Sequence, residues 1–258
     1  MARSELLCTD VGSVELARDL GADRIELCAA LEVGGVTPGP GLLAEALRVA
    51  GAGGSVRDET LPALGVVVLA RPRRGDFVLD AGDLRALLAD VEGARDAGAA
   101  GVALGVLSPD GRVDVERTRE LIAAARPMRV TFHRALDQAP DLDEAVAHAL
   151  EAGVDRVLTS GGAPSAWDGR EALRRLVGTY GDDVEVVAAG GVAGSNAREL
   201  LDATGVPAIH GSCSTVVRVE TEGRPLQPVA LGAAGAPPED ERRTLDREQA
   251  RLFVDAAR

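Results

Sequence analysis

Short, uniformly apolar runs alternate along the chain with stretches whose apolar residues recur at helical spacing. Runs of that kind mark strands buried on both faces, and the 3.6-residue period marks helices laid over them. The runs fall near 4–10, 23–28, 64–71, 101–106, 128–133, 154–160, 184–189 and 207–212. Leu84, Leu87, Leu88, Val91 and Ala94 form one helical stripe between them, and Leu142, Ala145, Val146, Ala149 and Leu150 form another. Four joints share a pattern: Gly21-Ala22-Asp23-Arg24-Ile25, Gly98-Ala99-Ala100-Gly101-Val102, Gly153-Val154-Asp155-Arg156-Val157 and Gly205-Val206-Pro207-Ala208-Ile209. In each, glycine takes the left-handed position past a helix end and the chain enters the next strand at once. Thr37-Pro38 reads as a helix start with proline in the first turn, and Asp141-x-x-Glu144 as a capping box. Eight strands alternating with helices, with no Gly-x-Gly-x-x-Gly after the first strand, predict a single (β/α)8 TIM barrel over 1–258 and no nucleotide cofactor. A Pro-rich, polar stretch at 214–241 predicts a long loop before a last helix around 243–256. Following strand eight, it could form a lid over the barrel mouth or a plain surface excursion.

Composition narrows the chemistry. The chain carries 28 basic and 41 acidic residues, net −13, and every basic one is arginine. Without lysine there is no Schiff-base aldolase, no pyridoxal-phosphate enzyme and no lysine-dependent phosphate loop. An acidic chain with five aromatics (Phe77, Phe132, Phe253, Trp167 and Tyr180) does not suit nucleic acid. Three cysteines in a chain long enough to build its own core argue against a disulfide framework and for a reducing cytoplasm. With no signal-peptide pattern and no long unbroken apolar run, a soluble cytoplasmic protein without membrane contact is expected. Acidic barrels of this size often pair, so a homo-oligomer is an open expectation.

Barrel active sites lie at strand C-terminal ends, which directs attention to the polar residues there. On strand two, Arg24, Glu26 and Cys28 share the inward parity; on strand one, Leu6, Cys8 and Asp10 are placed on the equivalent parity. Cys8 and Cys28 would then approach one another, with Cys213 as a third neighbour, either as small buried hydrophobes or as thiolate ligands of a soft metal such as Cu(I). Arg71 and Arg73 end strand three and could grip carboxylate or phosphate oxygens, or pair with Glu26 or Asp76. His133 ends strand five where a general acid or base would sit, with Arg134 and Asp137 beside it, and His210 ends strand eight. Ser160-Gly161-Gly162, Gly190-Gly191 and Gly211-Ser212 are glycine turns that could approach an anion or make tight turns only. No HExxH or CxxC spacing suggests a zinc site.

The ordered set Glu26-Leu27-Cys28, Gly34-Gly35-Val36-Thr37-Pro38, Arg71-Pro72-Arg73-Arg74-Gly75-Asp76-Phe77, Thr131-Phe132-His133-Arg134-Ala135, Leu158-Thr159-Ser160-Gly161 and Ala189-Gly190-Gly191-Val192 resembles the CutC family. The resemblance implies a TIM barrel in the cytoplasm, a role in copper homeostasis, and Cys8 and Cys28 as Cu(I) ligands. It departs where the family carries glutamates and this chain has Leu6 and Val33; Glu5 and Glu32 stand one residue away, a shift that reverses the face of a strand. Acid–base chemistry would then fall to Glu26, His133 or Asp137. Two readings follow from the sequence: a copper-binding protein, or a barrel enzyme (isomerase, lyase or hydrolase) acting on a small anionic, phosphorylated or carboxylated metabolite.

Overall fold

A computed structural model describes residues 1–51, 64–219 and 237–258. Eight parallel strands close into a barrel in chain order: β1 Arg3–Cys8, β2 Arg24–Leu27, β3 Gly65–Leu69, β4 Gly101–Leu104, β5 Arg129–Phe132, β6 Arg156–Thr159, β7 Glu185–Ala188 and β8 Ala208–Gly211, with β8 pairing back onto β1. Around it run α1 Val11–Asp19, α2 Pro40–Val49, α3 Ala81–Asp96, α4 Val115–Ala125, α5 Leu142–Ala152, α6 Arg170–Tyr180, α7 Ala197–Thr204 and α8 Arg247–Ala257. This is the (β/α)8 barrel that the alternation of patterns predicts. The four joint glycines all adopt positive φ: 71° at Gly21, 89° at Gly98, 98° at Gly153 and 69° at Gly205.

Much of the acidic surplus serves helix starts. The side chains of Asp10, Asp80, Asp114, Asp141 and Asp246 accept backbone N–H groups in the first turns of α1, α3, α4, α5 and α8. Each satisfies donors that a helix N-terminus otherwise leaves unpaired, and its charge complements the helix dipole. Asp141 caps α5 through the Glu144 N–H, the first half of the predicted box. Thr37-Pro38 does not start α2. Gly39 is the cap and Pro40 the first helical residue, because the Thr37 hydroxyl is committed elsewhere: it donates to Asp90 at 2.7 Å and accepts from the Arg71 N–H at 3.0 Å.

Two layers of unlike chemistry fill the barrel. Between sheet and helices lies the main apolar core, with Leu6, Cys8, Ile25, Leu27, Val66, Val68, Val102, Leu104, Val130 and Phe132 buried in it. Inside the barrel, apolar residues form only small groups, Cys28 with Leu7, Val67, Leu69 and Ala103, and Leu158 with Val187, Ala189 and Ala208. Beside these groups runs an ionic network. Arg24 donates to Glu5 at 2.9 Å and to Glu185 at 2.7 Å, and Arg156 stands 3.9 Å from Glu5. Glycine makes the space: a Cβ on Gly101 would lie 2.8 Å from the Arg156 guanidinium, and one on Gly65 3.2 Å from the Arg24 side chain.

The register corrects the reading of β1. Glu5 pairs with Arg24, Leu7 with Glu26, and Cys8 with Leu27. Glu5 and Leu7 therefore point inward, while Leu6 and Cys8 face the helices, and Asp10 lies beyond the strand as the α1 cap. The reading of Leu6, Cys8 and Asp10 as the inward set is thus one residue out of register.

The 214–241 stretch also differs from the predicted loop. Its two ends pair as an antiparallel ribbon, β9 Ser214–Arg218 with β10 Glu241–Leu245, and the last helix starts only after its Asp246 cap. The ribbon is tied to α1: Ser13 Oγ meets Thr244 Oγ1 at 3.2 Å and accepts from the Leu245 N–H at 3.2 Å. Residues 220–236 lie outside the described residues, and the lid expectation falls largely on them.

Candidate active site

A cavity of about 290 Å³ opens at the C-terminal mouth of the barrel. Its polar lining comes from Glu26, Arg71, His133, Arg134, His210 and Ser212, and Gly190 and Gly191 form one rim. Leu7, Leu31, Leu69, Phe77, Leu158 and Val192 supply apolar wall. Of the residues singled out in the sequence, Glu26, Arg71, His133, Arg134, His210, Gly190 and Gly191 line this one space.

Strand ends fix these groups. Glu26 is the last inward residue of β2 before Cys28 and is 4% exposed. Its Oε2 is buried without a hydrogen-bond partner. Burial pushes its carboxyl up to about 7, with the charge on Glu5 adding to the effect while His210 and Arg156 pull the other way. Behind it, His210 Nδ1 and Glu5 Oε1 lie 2.9 Å apart. Burial alone would raise Glu5, but the His210 bond together with Arg24 and Arg156 brings it down to about 2. His210 is raised against its own burial by Glu26 and Glu5.

His133 leaves β5 with its ring turned inward. Nδ1 accepts the Ala135 N–H at 3.3 Å, so in the neutral ring the proton resides on Nε2, which is buried with no partner. Burial, then the charge of Arg71, hold its pKa down at about 4. The edge of Phe77 packs on the ring at a centroid distance of 5.0 Å. Arg71 is anchored by the carbonyls of Gly35 at 3.0 Å and Gly75 at 2.9 Å and lies 5.0 Å over the Phe77 ring, leaving its buried Nε without an acceptor. Arg134 is aimed by Asp137 at 2.7 Å and Ser160 at 3.0 Å, against the bare Cα of Gly190, where a Cβ would be 3.2 Å from the guanidinium.

Several expected residues have other work. Arg73 turns away to Asp83 at 2.7 Å and to the Val78 carbonyl at 3.1 Å, because the chain after Arg71 folds into the turn leading to α3. Asp137 is not a free acid or base: it accepts from Arg134, Thr159, and the N–H groups of Ser160 and Gly162, clamping the turn after β6. Ser160 is fully buried and donates to the Ala163 carbonyl at 2.6 Å. Gly161 packs on the Gly169 backbone, where a Cβ would lie 2.5 Å from the carbonyl oxygen. Neither Ser160 nor Gly161 lines the cavity, whereas Gly190 and Gly191 do. Glu5 was missed through the inverted parity of β1, although a lone acid opposite Arg24 in an apolar strand is a usable signal for it. Phe77 carries no such signal.

The thiols do not converge. Cys8 lies in the sheet–helix layer and Cys28 inside the barrel, on opposite faces of the sheet, joined only by the Cys28 N–H to Cys8 carbonyl bond at 3.0 Å. Burial drives both thiols far above their usual range and pushes Cys213 up to about 12. Glu5, Glu26 and His210 could each offer one ligand atom within 4.8 Å of the others. Arg24 and Arg156 stand beside the Glu5 member of that set, so its charge is already shared with two guanidiniums.

No helix among the described residues is long and apolar enough to cross a membrane. Residues 2–215 match the CutC family model. A CutC family protein of Caulobacter vibrioides is 42% identical over 74% of this chain and 73% of its own length. One from Agrobacterium fabrum is 39% identical over 90% of this chain and 86% of its own. The crystal structure of a Streptococcus agalactiae protein, provisionally named copper homeostasis protein CutC, superposes with a TM-score of 0.75 at 26% identity, covering 82% of this chain and 99% of that one. The matched span carries every barrel strand and every residue of the mouth described above, and the chain belongs to the CutC family.

Proposed function

We propose that the chain is a barrel enzyme acting on a small anionic metabolite bound at the mouth, with Arg71, Arg134 and the Gly190–Gly191 rim holding the anionic group and Glu26 carrying a proton. The observation that supports this most is a set of unsatisfied atoms: Glu26 Oε2, His133 Nε2 and Arg71 Nε are all buried, all lack partners, and belong to residues lining the same cavity. Buried polar groups are almost always paired, and three of the seven such orphans among the described residues gather around this one space, which supports a ligand there. A carboxyl whose pKa lies near neutrality is suited to take up and return protons. The cavity volume fits a metabolite of modest size.

Arg134→Met tests the anion site. It keeps the length of the side chain and removes the charge, and is expected to weaken binding of inorganic phosphate or a small phosphorylated carboxylate by roughly 10-fold or more in calorimetry. Parental affinity in that variant would remove Arg134 from the site.

Copper homeostasis is the role named for the streptococcal relative. A Cu(I) site on Cys8 and Cys28 does not fit this chain, because the thiols sit on opposite faces of the sheet and burial opposes the thiolates that the metal needs. A Cu(I) titration against a competing chelator is accordingly expected to give the same result for the parent and for Cys8→Ser combined with Cys28→Ser. Loss of a tight parental site in that double variant would reverse this conclusion.

A further inference from the structure

We propose that the substrate is an anionic carbonyl compound with an acidic hydrogen on the carbon beside its C=O, His133 donating to the carbonyl oxygen and Glu26 moving the proton. This rests on the anion-binding reading of the mouth and specifies what the rest of the ligand must be. The geometry assigns complementary roles to the two orphaned atoms. His133 presents an N–H, because its Nδ1 already accepts from Ala135; Glu26 presents a carboxylate oxygen that accepts from none of the described residues. A ligand satisfying both must offer an acceptor to one and a hydrogen to the other. A hydroxyl could do this by hydrogen bonding alone, but a carboxyl that exchanges its proton near neutrality inside an apolar wall is matched to a hydrogen that is actually transferred.

The balance closes without a co-reactant. Glu26 takes the hydrogen as a proton, the C–H electron pair becomes a C=C bond, and the carbonyl π pair moves onto oxygen. The resulting enolate is held by the His133 Nε2–H, with Arg71 and Arg134 left to the anionic group. Return of the proton from Glu26 to the same carbon gives exchange or epimerisation; nothing is oxidised or reduced overall. A neutral imidazole suits the oxygen that gains charge, because it remains a donor throughout, and low local polarity strengthens that bond. The chain has no lysine, so the carbonyl cannot be activated as an iminium on a lysine side chain. The ring is held for this role by Phe77 and by the missing side chain at Gly105, where a Cβ would be 2.5 Å from His133 Cε1.

The test uses the full chain in D2O with dihydroxyacetone phosphate and with 2-oxobutanoate, following loss of the proton signal beside the carbonyl by NMR, with binding of each probe and of inorganic phosphate measured in parallel. Exchange above the buffer rate is expected for at least one probe, falling ~100-fold or more in Glu26→Gln and ~10-fold or more in His133→Leu. Nitrogen-15 NMR of the parent, which needs no variant, is expected to show His133 neutral with its proton on Nε2 from pH 5 to 8. Binding of a probe without any exchange overturns this proposal and leaves the anion site standing, as does parental exchange in Glu26→Gln or a proton on Nδ1 of His133. Failure of both probes and phosphate to bind overturns the anion site, and this proposal with it.

Discussion

Glu5→Ala is expected to lower the stability of the barrel by about 3–5 kcal/mol, the range for removing one partner from a buried ion pair. Glu5 is 2% exposed and is bonded to Arg24 and His210, with Arg156 close by. Alanine would leave Arg24 with Glu185 alone and Arg156 with only the longer-range pull of Glu26, Glu185 and Asp155. For a chain of this size such a loss moves the melting midpoint by roughly 10 °C. Chemical denaturation at pH 7 checks the size of the effect; a change below about 1 kcal/mol would mean that the interior is not held by this network.

Glu26→Gln is expected to act in the opposite direction on stability while abolishing proton transfer. The folded-state pKa of about 7 lies above the ordinary value of 4.5, so the folded chain holds this proton more tightly than the unfolded chain. The associated stabilisation is complete below about pH 4.5 and is lost as the pH rises through about 7. At pH 8 the parent carries a buried carboxylate facing Glu5, relieved only in part by His210 and Arg156. Glutamine removes that charge, and some of the gain is returned because His210 loses one of the acids that support its own proton. The variant should be about 2 kcal/mol more stable than the parent at pH 8 and nearly equal to it at pH 5, as urea melts at the two pH values would show. Equal stability at both would place the Glu26 pKa at its ordinary value and remove the reason to regard it as a proton carrier.

How much of this was legible in the sequence depended on which physical signal a residue carries. The barrel was legible because Gly21, Gly98, Gly153 and Gly205 each mark a helix-to-strand joint that few other residues could make. Glu26, Arg71 and His133 were legible because a polar residue at the end of an apolar strand has few other places to be. The orientation of β1 was not. Leu6 and Leu7 are adjacent and equally apolar, so only the identity of the interior decides between them, and here the interior beside β1 is ionic. Arg73 and Asp137 were misplaced for a related reason: their partners, Asp83 and the turn at Ser160, are brought to them by the fold and are not visible in local spacing.

The empty space at Gly105 has an evolutionary consequence. A side chain there would meet the His133 ring at 2.5 Å and the Ala135 Cβ at 3.1 Å, so positions 105 and 133 do not mutate independently. A lineage that gains any side chain at 105 first must evict the imidazole from its place, whereas one that loses the imidazole first has only the Ala135 Cβ at 3.1 Å left to accommodate. The order of the two changes is therefore directional, and the glycine is retained for as long as the histidine is useful. A residue with no functional group can in this way be under the same selection as the one that does the chemistry.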